Sequence, residues 1–175
     1  MRKRLKDGLV QVYTGNGKGK TTAALGLALR ASGAGLKICF FQFIKRGDYS
    51  EKKALANIKN ITVIQCGRGC FVKGKPRAKD IRLAQVGLDR CAAIIRSGEY
   101  DIVILDEINI AAKIGLVRVK DVIDVISDRP NFVEVVLTGR YCPAAIKSRA
   151  DLVTNMRDVR HPFRKHIHAR RGIEF

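Results

Sequence analysis

The chain has no tryptophan, and aromatic residues make up only 6% of it. Proteins that hold single-stranded nucleic acid stack bases on aromatic side chains set among basic ones, and no basic–aromatic interleaving occurs here. Acidic residues are scarce too: 16 Asp and Glu stand against 34 Lys and Arg, a formal charge of +18. A surplus of that size points to anionic partners such as nucleotides, nucleic acid or acidic protein surfaces. The basic residues form no long block, so the charge is spread over the surface. No apolar run approaches the length of a membrane span. The start, Met1-Arg2-Lys3-Arg4-Leu5-Lys6, is basic without the apolar stretch of a signal peptide, so no targeting segment, no membrane association and a cytoplasmic location are expected. The five cysteines are an odd number, which fits reduced thiols. Cys66 and Cys70 bracket three residues with no second pair to complete a zinc site. Cys39 and Cys91 sit in apolar patterns and are expected to pack as small hydrophobes. His161, His166 and His168 gather late in the chain, the last two expected on one face of a strand. No internal repeat or low-complexity segment is visible.

What the chain does contain is an alternation of strands and helices. Apolar runs predict strands at 9–13, 37–43, 61–64, 102–105, 132–137 and 152–156, the last of them as a core strand. Helical spacing predicts helices over 21–32, 51–57, 77–97, around 119–126 and over 143–150. In the longest, Ile81, Ala84, Leu88, Cys91 and Ile95 recur on one face. Residues 66–76 form a loop with three glycines and a proline, longer than a connection needs. Strands that are apolar without alternation indicate a mostly parallel sheet covered by helices on both faces. Such a sheet gathers ligands at the carboxyl ends of its strands. At 175 residues, a single domain over 1–175 is expected.

The organising stretch is Thr14-Gly15-Asn16-Gly17-Lys18-Gly19-Lys20-Thr21-Thr22, between the first strand and first helix. Strand, glycine-rich turn, helix is the setting of a phosphate-binding loop. Glycines let backbone N–H groups form a nest, and the helix N-terminus adds positive character. Lys20 is the expected contact to phosphate oxygens, Lys18 a second cation, and Thr21 the hydroxyl that reaches a magnesium ion. The first glycine stands one residue later than in the usual spacing. Asp106-Glu107 closes the fourth apolar strand, where an acidic group can hold magnesium directly or through water beside Thr21. Arg140, after Thr138-Gly139, is placed to meet a phosphate oxygen. These features indicate magnesium–ATP. They leave open a hydrolase, a kinase, a transferase acting elsewhere on the nucleotide and a regulatory ATP-binding module.

Further marks narrow the choice. Gly15 to Ala24, Arg30-Ala31, Gly33-Ala34-Gly35, Gln42-Phe43-Ile44-Lys45, Val103-Ile104-Leu105-Asp106-Glu107, Arg129-Pro130, Leu137-Thr138-Gly139-Arg140, Ala150-Asp151-Leu152-Val153, His161-Pro162-Phe163 and Arg171-Gly172-Ile173-Glu174-Phe175 occur in this order. Together they resemble the ATP:corrinoid adenosyltransferases, the cob(I)alamin and cob(I)yrinic acid a,c-diamide type, over nearly the whole chain. The displaced first glycine belongs to that family's loop.

The resemblance implies a P-loop NTPase-like (RecA-like) fold. It implies transfer of the 5′-deoxyadenosyl group of ATP to the cobalt of a cob(I) corrinoid, with triphosphate leaving whole, in adenosylcobalamin synthesis or salvage. The substrates would be ATP and a reduced corrinoid, the metal Mg2+ or Mn2+ in its place, the electron donor a flavoprotein and the assembly a homodimer. Carried over residue by residue, Gly15, Asn16, Gly17, Lys18, Gly19, Lys20, Thr21 and Thr22 bind the nucleotide. Lys20 and Arg140 act on the phosphates, and Thr21, Glu107 and Asp106 hold the metal. Two departures stand out. The family's Gly-Phe-Thr-Trp segment has no counterpart, the region reading Gly67-Arg68-Gly69-Cys70-Phe71-Val72, where Phe71 is the candidate for the corrinoid's apolar contact. Position 34, often His in the family, is Ala34. The alternative class is a nucleic-acid-dependent P-loop ATPase, motivated by the charge.

Overall fold

A computed structural model of the chain describes residues 4–44, 47, 49–67 and 76–174. The six strands are β1 (Val10–Thr14), β2 (Ile38–Gln42), β3 (Ile61–Gln65), β4 (Ile102–Asp106), β5 (Glu134–Thr138) and β6 (Leu152–Asn155). The helices are α1 (Lys20–Gly33), α2 (Ser50–Leu55), α3 (Ala78–Ser97), α4 (Ile108–Lys113), α5 (Val119–Ser127) and α6 (Ala144–Lys147). The strands form one sheet in the order β3-β2-β4-β5-β1-β6, every pairing parallel. The expected α/β architecture is therefore present.

The order explains which helix covers which face. From β1 to β2 to β3 the chain steps across the sheet in one direction; from β3 through β4 and β5 to β6 it steps back. Right-handed crossovers put the helices of the first run on one face and those of the second on the other. Accordingly α1 and α2 pack with Ile38, Phe40, Ile61, Ile102, Ile104 and Val136. The helices α3 to α6 pack on the opposite face with Cys39, Phe41, Val103, Leu105, Val135 and Leu137. Residues two apart along a strand share a face, so each central strand feeds both cores, which is why it reads as an unbroken apolar run.

Helix α1 buries Ala24, Ala28 and Ala31, spaced four and three apart. Small side chains on that stripe let its axis lie close to the sheet. The stripe predicted for α3 is buried at Ala84, Leu88, Cys91 and Ile95, while Ile81 is exposed. Gly98, in the left-handed conformation at φ 60°, ends that helix.

Three elements differ from the sequence reading. Strand β6 is no core strand: all four residues are exposed, because it lies at the sheet edge beside β1 alone. Helix α6 is a single turn, Ala144–Lys147, rather than eight residues. The histidine pair lies on no strand, since a 3-10 turn over Pro162–Lys165 ends at His166 in the left-handed region. Among the described residues, no helix is long and apolar enough to cross a membrane. The described cysteines, Cys39, Cys66, Cys91 and Cys142, are free thiols. Burial pushes the Cys39 thiol up to about 12, consistent with packing as a small hydrophobe.

Candidate nucleotide site

The carboxyl ends of β1, β4 and β5 carry the residues expected to act. Gly19 caps α1 with φ 112°, turning the chain so that Lys20 begins the helix. The first turn of α1 holds no acidic residue. Asp or Glu there would answer the helix dipole; a helix start that binds an anion does without.

Lys20 is buried, and its Nζ donates to the carbonyl oxygens of Gly15 (2.9 Å) and Gly17 (2.6 Å). An ammonium has three N–H donors, so this grip holds the loop together and still leaves a donor for a phosphate. Burial is the chief influence on its pKa and lowers it. Glu107 pulls it back up, Arg140 lowers it further, and Asp106 raises it.

At the second residue of α1, the Thr21 hydroxyl donates to Asp106 Oδ1 at 2.8 Å. The Thr138 hydroxyl, from β5, donates to the same oxygen at 2.7 Å. The Glu107 backbone N–H then donates to the Thr138 oxygen at 3.0 Å. Asp106 is completely buried, and its Oδ1 accepts both hydroxyls. Glu107 has φ 64°, a left-handed conformation that is costly for a residue with a side chain. That bend starts α4 directly after β4.

The structure therefore brings Lys20, Thr21 and Asp106 together, with Glu107 beside them. Arg140 is exposed at the strand end, near enough for its charge to act on Lys20. Asn16 and Thr22 are exposed on the loop and the first turn. Phe71 and Cys70 lie outside the described residues. Among the described residues, no three His, Cys, Asp or Glu side chains cluster as a metal cage. Magnesium does not need one, because it keeps several waters and takes few protein oxygens. The hydroxyl and carboxylate of Thr21 and Asp106, with Glu107 adjacent, form a donor set of hard oxygens that fits such an ion.

Sequence reasoning missed the wall on the loop's outer side. The Gly17 N–H donates to the Met156 carbonyl at 2.7 Å. A Cβ on Gly17 would lie 2.6 Å from the Arg157 carbonyl oxygen, and one on Gly15 would lie 2.3 Å from that of Met156. These glycines are required by the close approach of the segment after β6. Lys18, expected as a second cation of the loop, pairs with Glu174 at 2.8 Å. Hydrogen bonds from Arg170, then from Lys18, hold the Glu174 carboxyl down to about 2. The sole sequence signal for this wall was the glycine surplus in the loop.

Comparisons with known proteins find relatives over nearly the whole chain. Residues 6–175 match the family model of the ATP:corrinoid adenosyltransferases BtuR/CobO/CobP. A corrinoid adenosyltransferase of a Sinorhizobium species is 36% identical over 174 residues, covering 97% of this chain and 81% of the relative. One from Pseudomonas aeruginosa is 34% identical over 174 residues, covering 98% and 86%. The corrinoid adenosyltransferase CobA of Salmonella typhimurium is 31% identical over 168 residues, covering 96% and 86%.

Proposed function

The chain belongs to the ATP:corrinoid adenosyltransferase family, and on that premise we propose that it transfers the 5′-deoxyadenosyl group of ATP to a cob(I) corrinoid, releasing triphosphate. Cobalt(I) supplies the electron pair that forms the Co–C5′ bond. The C5′–O bond breaks, and its pair leaves on the terminal oxygen of triphosphate. The protein then supplies no nucleophile. Its task is to hold and neutralise a highly charged leaving group.

Lys20 and the N–H groups at the start of α1 bind the phosphate chain, and Arg140 meets it from the β5 end. Thr21 and Asp106, with Glu107, would hold Mg2+, which when bound spreads the charge of the departing phosphates. The observation that carries this reading is the Thr21–Asp106 hydrogen bond, which joins the phosphate loop to the acidic strand end. Outer-face glycines pressed against Met156 leave the inner face of the loop for the nucleotide. A homodimer in the cytoplasm, with a flavoprotein reductant, completes the proposal.

The test is an anaerobic incubation of the protein with ATP, Mg2+ and chemically reduced cobalamin. The adenosylcobalamin spectrum should develop in step with triphosphate. ADP and phosphate as the main products would replace this reading with an ATPase.

A further inference from the structure

Four neighbouring strands end in polar residues: Gln65 on β3, Gln42 on β2, Asp106 on β4 and Thr138 on β5. Gln42 is in register with Gln65 on one side and Asp106 on the other. Each lies two residues beyond an apolar residue packed in the α1 layer, namely Val63, Phe40, Ile104 and Val136. Strand alternation therefore puts all four on the face that carries the start of α1. This polar row runs under the helix end that bears Lys20 and Thr21.

The orientation of both glutamines follows from their bonds. The Gly47 backbone N–H, which can only donate, donates to Gln65 Oε1 at 3.2 Å. Gln65 therefore turns its nitrogen the other way, and Nε2 donates to Gln42 Oε1 at 2.8 Å. One donor is left at the end of this relay. Gln42 is 1% exposed, and its Nε2 is buried with no hydrogen-bond partner among the described residues. An N–H so placed is costly unless an acceptor meets it. Water bound to a metal cation turns its hydrogens outward, so it offers an amide N–H little. An oxygen of an anionic or hydroxylated ligand does offer an acceptor.

We propose that Gln42 is a nucleotide-binding residue, its Nε2–H held by the Gly47–Gln65 relay for an acceptor oxygen of ATP, on the polar row shared with Asp106 and Thr138. This rests on the nucleotide reading above. The acceptor is an oxygen of the phosphate chain or of the ribose, and the two are separable by ligand.

The experiment is calorimetric binding of ATP, tripolyphosphate and adenosine, each with Mg2+, to the wild type, Gln42→Met and Gln65→Met, alongside thermal unfolding and corrinoid binding. Wild-type protein that fails to bind ATP would sink the nucleotide reading itself. Given wild-type binding, Gln42→Met should stay folded with at most a small fall in unfolding temperature, because it removes a buried donor without a partner while costing the part-buried Gln65–Gln42 bond. Its ATP affinity should fall about tenfold, the scale of one hydrogen bond to a charged or polar ligand. A parallel loss for tripolyphosphate assigns the oxygen to the phosphates; a loss for adenosine assigns it to the ribose. Gln65→Met, which frees the Gln42 amide to turn, should weaken the same ligand by a smaller factor. Folded Gln42→Met that binds all three ligands like wild type would overturn the proposal and leave the donor to a trapped water only. Loss of corrinoid binding with ATP binding intact would also overturn it. Should Gln42→Met not fold, wild-type affinity in Gln65→Met would overturn it as well.

Discussion

The Thr21 hydroxyl on α1 donates to the Asp106 carboxylate on β4 across 2.8 Å, joining residues 85 apart in the chain. The bond ties the helix that begins at the phosphate loop to the strand that ends in acid. Both side chains offer hard oxygen donors, so the pair is suited to share a cation.

Removing either member should therefore change the response to metal more than the fold. Thr21→Ala should raise the Mg2+ concentration needed for half-maximal ATP binding, as should Asp106→Asn. The double variant should lose less than the sum of the two, because the residues are in contact. A metal titration followed by calorimetry checks this. Unchanged Mg2+ dependence in both single variants would separate the pair from the metal.

Lys20→Ala should cost about 2–4 kcal/mol of transition-state stabilisation, the scale for loss of a charged donor to a leaving group. Steady-state kcat/KM measures it, and near-normal turnover would place the triphosphate elsewhere.

The pKa of Lys20 is lowered from the ordinary 10.5, chiefly by burial, and this gives two opposite trends with pH. The ammonium form binds phosphate, so ATP affinity should fall as pH rises through the lowered folded-state value. In the free protein, the unfolded state holds this proton more tightly than the folded state. Its contribution therefore opposes folding at lower pH, and the penalty fades as pH rises toward 10.5. Binding and unfolding measured across that alkaline range should diverge in wild type and run parallel in Lys20→Ala.

Two glycines separate close approach from mere flexibility. Gly17→Ala places a methyl group 2.6 Å from the Arg157 carbonyl oxygen, so it should displace the outer wall and weaken ATP binding. Gly26 lies inside α1 with nothing within 4 Å of an added Cβ. Gly26→Ala should stabilise the fold by about 0.5–1 kcal/mol, with ATP binding unchanged. Thermal unfolding and calorimetry of both variants decide the matter. A stabilised Gly17→Ala would show that the wall moves freely.

The charge of +18 should give weak contact with duplex DNA that ignores sequence and vanishes with modest salt. A salt series in a gel-shift assay tests it. A complex surviving at physiological salt, or ATP turnover stimulated by DNA, would restore the nucleic-acid class.

The parallel sheet and its covering helices were legible because Ile102 to Leu105 and Val135 to Leu137 are buried on both faces and carry no polar interruption. The phosphate loop was legible because glycines, Lys20 and Thr21 are contiguous. Helix α4 was not, since it begins directly after β4 at a left-handed Glu107, and no cap or spacer announces the change. Strand β6 read as core because Leu152 and Val153 are apolar, yet an edge position is decided by topology and not by composition. The row of Gln65, Gln42, Asp106 and Thr138 is visible in retrospect as a polar residue closing four apolar strands. Their alignment became readable only with the strand order. The pairing of Lys18 with Glu174 depends on a contact across 156 residues, beyond the reach of any local pattern.

The wall that Met156, Arg157 and Glu174 set against the phosphate loop also fixes a timetable. Translation delivers residues 15–19 well before it delivers their wall. A ribosome-bound chain halted before residue 156 carries the loop and helix α1 without the carbonyl that receives the Gly17 N–H. The loop's wall is thus supplied by a later-made part of the chain, and a fragment halted before that part should bind ATP more weakly than the whole chain.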